Sequence, residues 1–171
     1  MSGFITPVLN YALLAPILIV LAGALIGVLV EAFASRERRA SIQLPITLVT
    51  LVVALADVIS IRGREAADVA GGSVVYDGGA FLIQLFILII AILGTLLIAD
   101  EKNFTAVASA LPGSKEELEA SAAGLRVSEV YPLTLFAVSG MLLFPISSDL
   151  ITLFVSLEML SLPLYLMTGL S

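Results

Sequence analysis

The sequence contains no histidine, no cysteine and no tryptophan, and only 13% of its 171 residues are charged. Disulfides, thiolate-ligated iron–sulfur clusters and imidazole metal or haem sites are therefore excluded from this chain. A soluble domain usually carries about 25% charged residues, whereas hydrophobic residues make up 60% of this chain. The net charge of −6 argues against a nucleic-acid partner. This composition is typical of an integral membrane protein.

Five long apolar runs predict an all-α integral membrane fold with five transmembrane helices, because a helix needs about 20 apolar residues to span a bilayer. The predicted spans are Tyr11–Phe33, 42–61, 81–99, 131–146 and Leu150–Gly169. The fourth run is short, so its helix should stand upright or thin the lipid locally. No Lys or Arg precedes the first run, so it lacks the basic segment of a signal peptide and is interpreted as a retained helix.

Basic residues between the runs predict how the chain is oriented. Loop one holds Arg36, Arg38 and Arg39, loop two holds Arg62 and Arg64, and loop three holds Lys102, Lys115 and Arg126. Six of the eight basic residues therefore belong to loops one and three. Cytoplasmic loops are enriched in Lys and Arg, which places loops one and three in the cytoplasm. The N-terminus is then outside and Ser171 is on the cytoplasmic side.

The second and third loops contain signals of local structure. Gly71-Gly72 and the Asp-Gly-Gly sequence at 77–79 are turn signals, and they indicate a small external hairpin in loop two. Ser114 and Glu117 have the spacing of a capping box, which predicts a short helix on the cytoplasmic surface up to Gly124. We interpret loop three as a tether without activity of its own.

Glu158 is the one ionisable side chain near the middle of a long apolar run. It follows Leu150 by a helical rise of about 12 Å, close to the centre of a hydrocarbon layer about 30 Å thick. A charge at that depth costs at least ~2.5 kcal/mol. Such a residue indicates ion or proton conduction, or a buried structural partner.

Three further polar residues share the helix face of Glu158, because their spacing follows the helical period. These are Ser161, Tyr165 and Thr168. They predict a hydrated path that brings protons from the cytoplasm to Glu158. Alternatively, Tyr165 belongs to the interfacial aromatic belt and the two hydroxyl residues serve packing.

Pro163 follows Glu158 by five residues and predicts a helix kink. Proline has no N–H to donate to the Met159 carbonyl, and its ring crowds that carbonyl. The freed carbonyl could hold a water beside the carboxyl group. An ordinary kink used for packing is the alternative.

The first two runs carry packing signals. Gly23 and Gly27 form a GxxxG step, which favours close approach of helices. The polar residues of the second run share one face with Ala54, and we interpret that face as directed into the bundle, with conduction as the alternative. The polar residues are Gln43, Thr47, Thr50 and Asp57.

The stretch 129–143, continuing through 148–150 into 154–165, resembles the proton-translocating, antiporter-like membrane subunits of respiratory complex I. The segment 157–165, which reads Leu-Glu-Met-Leu-Ser-Leu-Pro-Leu-Tyr, looks most like the subunit N branch of bacterial NADH-quinone oxidoreductase. Leu157 stands where the sister branches L and M usually have an aromatic residue.

This resemblance implies the first part of a fourteen-helix fold with two inverted repeats of five helices. Residues 1–128 would supply three leading helices and a long cytoplasmic loop. Residues 129–171 would supply the first two helices of the first repeat, which is incomplete here. Glu158 matches the fifth-helix glutamate of the family, which pairs with a lysine on a later, broken helix. The lysines of this chain are Lys102 and Lys115, both in loop three, so the partner lysine is expected outside this segment.

The resemblance also implies cofactors, partners and location. Other membrane subunits of complex I and the lipid bilayer are the expected partners, in a bacterial cell membrane. This chain is expected to bind no cofactor, whereas NADH, FMN, iron–sulfur clusters and quinone belong to other subunits.

The resulting hypothesis is a membrane subunit of a proton-pumping NADH:quinone oxidoreductase, a translocase to whose proton channel Glu158 contributes. One alternative is a subunit of a multi-subunit sodium/proton antiporter or of a membrane-bound hydrogenase. A further alternative is a non-conducting membrane scaffold.

Overall fold

A computed structural model describes residues 9–63, 67–99 and 128–169 of the chain. This described part contains five α-helices and one short antiparallel hairpin. They are α1 (Tyr11–Phe33), α2 (Arg36–Ser60), β1 (Ala67–Asp68), β2 (Val75–Tyr76), α3 (Gly78–Ile98), α4 (Val130–Leu143) with the 3₁₀ turn Phe144–Ile146, and α5 (Leu150–Gly169). Helices α1, α2, α3 and α5 are long and apolar enough to cross a membrane, and the stretch Val130–Ile146 is a shorter apolar helix. The predicted all-α membrane fold with five helices is confirmed, and the chain is part of a multi-pass membrane protein.

Two helix starts differ from the prediction because hydropathy does not detect polar first turns. Helix α2 begins at Arg36, six residues before the predicted start, so the three arginines of loop one lie in its first turn. Helix α3 begins at Gly78, where the Asp77 carboxylate accepts a hydrogen bond from the Ala80 N–H at 2.7 Å. Such a side-chain cap satisfies one of the free N–H groups at a helix start.

The fourth apolar run changes helix type before it ends. Its α-helix stops at Leu143 and continues as the 3₁₀ turn to Ile146. Pro145 lies in that turn and cannot donate a hydrogen bond to the preceding helical turn. A carbonyl at the end of α4 is satisfied by a side chain from another helix. The amide of Gln84, which is buried on α3, donates a hydrogen bond to the Leu142 carbonyl at 2.9 Å.

Helix α1 packs against both α2 and α4, and its two glycines make the approach close. A Cβ added at Gly23 would overlap the Thr50 side chain, and one added at Gly27 would lie 2.9 Å from the Cβ of Pro132. Lipid is as apolar as leucine, so van der Waals packing rather than burial from water holds such helices together. The close packing predicted from the GxxxG step is confirmed.

The interior lies mainly between α1, α2, α3 and α4. Its fully buried apolar side chains include Val20, Ala24, Leu51, Ala54, Val58, Leu88, Leu135 and Leu142. On α2, Gln43 and Thr47 are completely buried as well, which confirms that the polar face of this helix is directed into the bundle.

The predicted hairpin of loop two is present. Strands β1 and β2 pair antiparallel, and the turn between them contains Gly71 at φ 61° and Gly72 at φ 88°. Both values lie in the left-handed region that glycine adopts without steric cost. The Asp68 carboxylate stabilises the turn by accepting hydrogen bonds from the N–H groups of Ala70 and Gly72, at 3.0 and 2.8 Å.

The hairpin is tied to two other segments at one end of the bundle. The Asn10 N–H donates to the Val69 carbonyl at 3.0 Å, and the Ser148 N–H donates to the Ser73 carbonyl at 2.9 Å. The start of α1, loop two and the α4–α5 turn therefore lie at the same end. This arrangement agrees with helices that alternate in direction across a membrane.

Asp149 joins this end of the bundle to α5. Its carboxylate accepts a hydrogen bond from the Thr152 N–H at 2.7 Å. Hydrogen bonds hold the pKa of Asp149 below its ordinary value, because they stabilise the charged form. The bond from the Thr152 N–H has the largest effect, and the bond from the Ser73 hydroxyl has the second largest.

Several predicted features of loop three and its neighbourhood lie outside the described residues. They are the surface helix from Ser114 to Gly124, the basic residues Arg64, Lys102, Lys115 and Arg126, and the end at Ser171.

Candidate functional site

Glu158 lies near the middle of α5, a helical rise of about 12 Å from its first residue, Leu150. Its side chain is half-buried and borders an open depression of about 380 Å³ between α4 and α5. The other residues of the depression are Phe136, Phe154, Val155, Met159, Leu162 and Pro163. The acid group is therefore bordered on this side by apolar side chains.

Gly140 of α4 makes the closest helix contact near Glu158. A Cβ at this position would lie 2.6 Å from the Leu160 nitrogen and 2.8 Å from the Met159 carbonyl carbon. Both atoms belong to the backbone and cannot turn away, so only a glycine fits. The backbone of α4 thus rests on the helical turn of α5 that carries Glu158. Sequence reasoning missed this role, because a lone glycine in an apolar run does not reveal its neighbour.

Pro163 is buried, and it borders the same depression as Glu158. Helix α5 continues through it from Leu150 to Gly169. The Met159 carbonyl, which Pro163 cannot pair, belongs to the peptide group against which Gly140 packs. The carbonyl that Pro163 frees and the contact with α4 therefore lie on the same turn of α5. The helix kink itself stays a prediction.

The other polar residues of the stripe, Ser161, Tyr165 and Thr168, lie on the side of α5 directed away from α4. Within the described part of the chain, the buried residues of α5 are Ser156 and Pro163. On a helical projection, the three polar residues are centred about 160° from this buried pair. Ser161 is half-buried, Tyr165 is 70% exposed and Thr168 is exposed.

A proton path along this stripe would need further polypeptide to cover it. The Thr168 hydroxyl donates to the Tyr165 carbonyl at 2.8 Å. Among residues 9–63, 67–99 and 128–169, no helix encloses these side chains, as their exposure shows. The path through Ser161, Tyr165 and Thr168 stays a prediction.

The described segment 128–169 contains neither Lys nor Arg, so α4 and α5 offer Glu158 no cation. Within the described residues, the ion pair found is that of Glu31 with Arg39, at 3.5 Å near the α1–α2 turn. A cationic partner of Glu158 would have to come from outside the described residues, as the sequence predicts.

A second polar cluster connects α1 and α2. The Gln43 amide donates to the Gly27 carbonyl at 2.7 Å and to the Glu31 carboxylate at 2.9 Å. Arg39 donates to the Ala34 carbonyl at 3.0 Å as well as pairing with Glu31. The sequence indicated the buried face of Gln43, but its pairing with Glu31 depends on how the two helices pack.

A bundle of apolar helices with one carboxyl group at mid-depth defines this chain as part of a multi-pass α-helical membrane protein. No protein-family model matches it. Over 99% of its length it is 45% identical to the NADH-quinone oxidoreductase subunit N of Beutenbergia cavernae. Over 96% it is 48% identical to that of Acidothermus cellulolyticus, and over 96% it is 44% identical to that of Thermobifida fusca.

Over almost its entire length the chain is homologous to a part of NADH-quinone oxidoreductase subunit N from these organisms. The resemblance predicted from residues 129–165 is confirmed, and it extends over almost the entire chain. The chain spans about a third of the length of these curated relatives, between 32% and 35%.

Proposed function

We propose that this chain forms part of a proton-translocating membrane subunit of an NADH:quinone oxidoreductase complex. Residues 1–128 contribute three leading helices and a long cytoplasmic loop. Residues 129–171 contribute the first two helices of a five-helix inverted repeat in a fourteen-helix fold. The relatives are named NADH-quinone oxidoreductase subunit N, and they are about three times as long as the chain.

The position of Glu158 carries the proposal. It combines a mid-membrane depth with an apolar depression and a helix face left uncovered by the described residues. Apolar surroundings favour the neutral acid, whereas a nearby cation favours the carboxylate. A lysine on a mobile helix would have its positive charge stabilised when it moves toward Glu158, and would then take up a proton. When the lysine moves away from Glu158, it would lose that stabilisation and release the proton. Glu158 acts in this mechanism as an electrostatic modulator of the neighbouring proton carrier.

Electron transfer takes place elsewhere in the proposed complex. NADH, FMN, iron–sulfur clusters and quinone bind to other subunits. This chain contributes membrane helices that contact those of other membrane subunits in a bacterial cell membrane. The start of α1, the hairpin and the α4–α5 turn lie outside, and the arginine-rich start of α2 lies in the cytoplasm, which agrees with the distribution of basic residues.

Two other functions are distinguishable from this one. A subunit of a sodium/proton antiporter or of a membrane-bound hydrogenase would use the same glutamate, but its neighbouring subunits would differ. A non-conducting scaffold would use Glu158 to hydrogen-bond across helices. The names of the three relatives favour the oxidoreductase.

Replacing Glu158 with Gln tests the proposal, because the amide keeps the shape of the side chain and removes its charge. We expect proton pumping per NADH oxidised to fall severalfold in membrane vesicles that carry the complete complex. The measurements are the quinone-linked oxidation of NADH and the quenching of a pH-sensitive dye.

Glu129→Gln is the matched control, since Glu129 is exposed at the start of α4. We expect this variant to pump like the unaltered complex. Unchanged pumping in Glu158→Gln would refute the role of this residue. A loss of assembled complex with normal turnover per complex would instead support the scaffold.

A further inference from the structure

Several buried oxygen atoms lack a hydrogen-bond partner among the described residues, and two of them lie close together on α2. They are Gln43 Oε1 and Thr47 Oγ1, and both side chains are 0% exposed. The two residues are one turn apart on α2 and therefore lie on the same helix face. Buried polar atoms in folded proteins almost always have a partner, which is protein or ordered water.

The orientation of the Gln43 amide is fixed by the two hydrogen bonds that its nitrogen donates. Its nitrogen serves two acceptors, the Gly27 carbonyl and the Glu31 carboxylate. Exchanging the amide nitrogen and oxygen would place an oxygen against these acceptors, so Oε1 has to point away from them. This oxygen therefore needs a donor from another direction.

Glycine at position 27 allows α1, α2 and α4 to approach one another beside that oxygen. A Cβ at Gly27 would lie 3.1 Å from Gln43 Oε1 and 2.9 Å from the Pro132 Cβ, both too close for an ordinary contact. The oxygen thus lies in a corner where these three helices meet.

The donor has to be small and has to be enclosed within the bundle. Both oxygens are sealed from the surface of the chain, so another segment or subunit cannot reach them unless the helices separate. A water molecule supplies two hydrogens and fits where two polar partners converge. Two neutral oxygens provide too few ligands for a metal cation such as Ca²⁺ or Mg²⁺. We propose that a bound water bridges Gln43 Oε1 and Thr47 Oγ1 at the junction of α1, α2 and α4.

This water would end a polar layer that begins at the membrane surface. The layer runs from Arg39 through Glu31 and Gln43 to Thr47. Deeper on α2, Leu51 and Ala54 are fully buried and apolar, and the Thr50 side chain packs against Gly23 of α1. The proposed water therefore joins three helices near one end of the bundle. It is independent of Glu158 and of the proposed function.

A density map of the complete lipid-embedded complex, at a resolution that shows ordered waters, tests the site directly. We expect a peak within hydrogen-bond distance of both Gln43 Oε1 and Thr47 Oγ1. The proposal is overturned if the two side chains bond each other, or if a donor from another segment occupies the position.

Substitution of Thr47 provides a second test that does not depend on the map. Thr47→Val keeps the shape and removes the hydroxyl, so we expect the melting midpoint of the complex to fall by about 2–4 °C. Thr47→Ser keeps the hydroxyl, so we expect it to retain the density peak that Thr47→Val loses.

Thr95→Val is the control, because Thr95 is also buried on a helix but its hydroxyl donates to the Ala91 carbonyl of its own helix at 2.8 Å. We expect this variant to melt close to the unaltered complex. Equal midpoints for Thr47→Val and Thr95→Val would contradict a bridging water at Thr47.

Discussion

Gly140 shows how one small residue positions the helical turn that carries Glu158. The α4 backbone contacts α5 at the Met159–Leu160 peptide, directly after Glu158. Pro163 leaves the Met159 carbonyl of that turn without its usual helical donor. The contact from α4 supports a turn whose own hydrogen bonding is incomplete, and in this way it determines where the carboxyl group is held.

Gly140→Ala should destabilise the packing of α4 on α5. The added methyl group would lie 2.6 Å from the Leu160 nitrogen, so one of the two helices has to shift. Overpacking of this kind typically costs about 1–3 kcal/mol. We expect a lower melting midpoint of the assembled complex, measured by thermal unfolding in detergent or lipid nanodiscs.

Gly94→Ala on α3 is the matched control, because a Cβ there has no heavy atom within 4 Å. Alanine favours helix over glycine by about 1 kcal/mol, so this variant should be neutral or slightly more stable. Similar losses in both variants would show that the Gly140 contact is not specific.

At the scale of elements, the hairpin connects helices that are distant in the sequence. Its turn binds the α4–α5 connection through Ser73 and Ser148, and its other side binds the start of α1 through Val69. Tyr76 of β2 is buried. Its burial is the main cause of its raised pKa, and the negative charges of Asp57 and Asp77 raise the pKa further. The hairpin therefore serves as a cap that fixes the ends of α1 and α5 relative to each other.

The cap should weaken in acid because of Asp149. The pKa of this carboxyl lies below its ordinary value of 3.8, so its contribution is complete above that pH and disappears as the pH falls toward the lowered value. We expect protection of the 68–76 backbone against hydrogen exchange, corrected for intrinsic rates, to be constant from neutral pH down to about pH 4 and to fall below it.

Asp149→Asn separates this effect from other acid groups. The asparagine oxygen can accept the same hydrogen bond from Thr152 but does not titrate. We expect the variant to show a weaker loss of protection in acid. A pH profile identical to that of the unaltered chain would mean that Asp149 does not control the cap.

At the scale of the whole molecule, one end of the bundle gathers the hairpin and the α4–α5 turn, and the other gathers the α1–α2 turn and its arginines. Backbone hydrogen bonds establish which segments share an end. The distribution of basic residues then predicts which end is cytoplasmic.

Cysteine labelling tests this orientation cleanly, because the chain has no cysteine of its own. Ser148 and Ser35 are both exposed and lie at opposite ends. With a membrane-impermeant maleimide, we expect Ser148→Cys to react in right-side-out vesicles and Ser35→Cys to react in inside-out vesicles.

Permeabilised membranes are the control, in which both cysteines should react. The side chain of Ser35 makes no capping hydrogen bond to α2, so its replacement should leave the helix intact. The reverse labelling pattern would overturn the proposed orientation.

The sequence by itself determined the number of helices, the position of Glu158 along α5 and the hairpin. The lengths of apolar runs set the helices, and the place of Glu158 within its run puts it near the middle of α5. Gly71 and Gly72 supply left-handed backbone conformations at the hairpin turn. These features depend on residues that are close together in the chain, which is why a single sequence predicts them.

The tertiary structure alone decided which surfaces meet. The contact of Gly140 with the Met159 peptide, the bond from Gln84 to Leu142, and the direction of the α5 stripe away from α4 all depend on helix rotation and register. An apolar helix in lipid has almost no preference between its faces, because lipid and leucine are equally apolar. Small residues and buried amides fix the rotation only when a partner helix supplies the matching surface, and that partner lies far away in the chain.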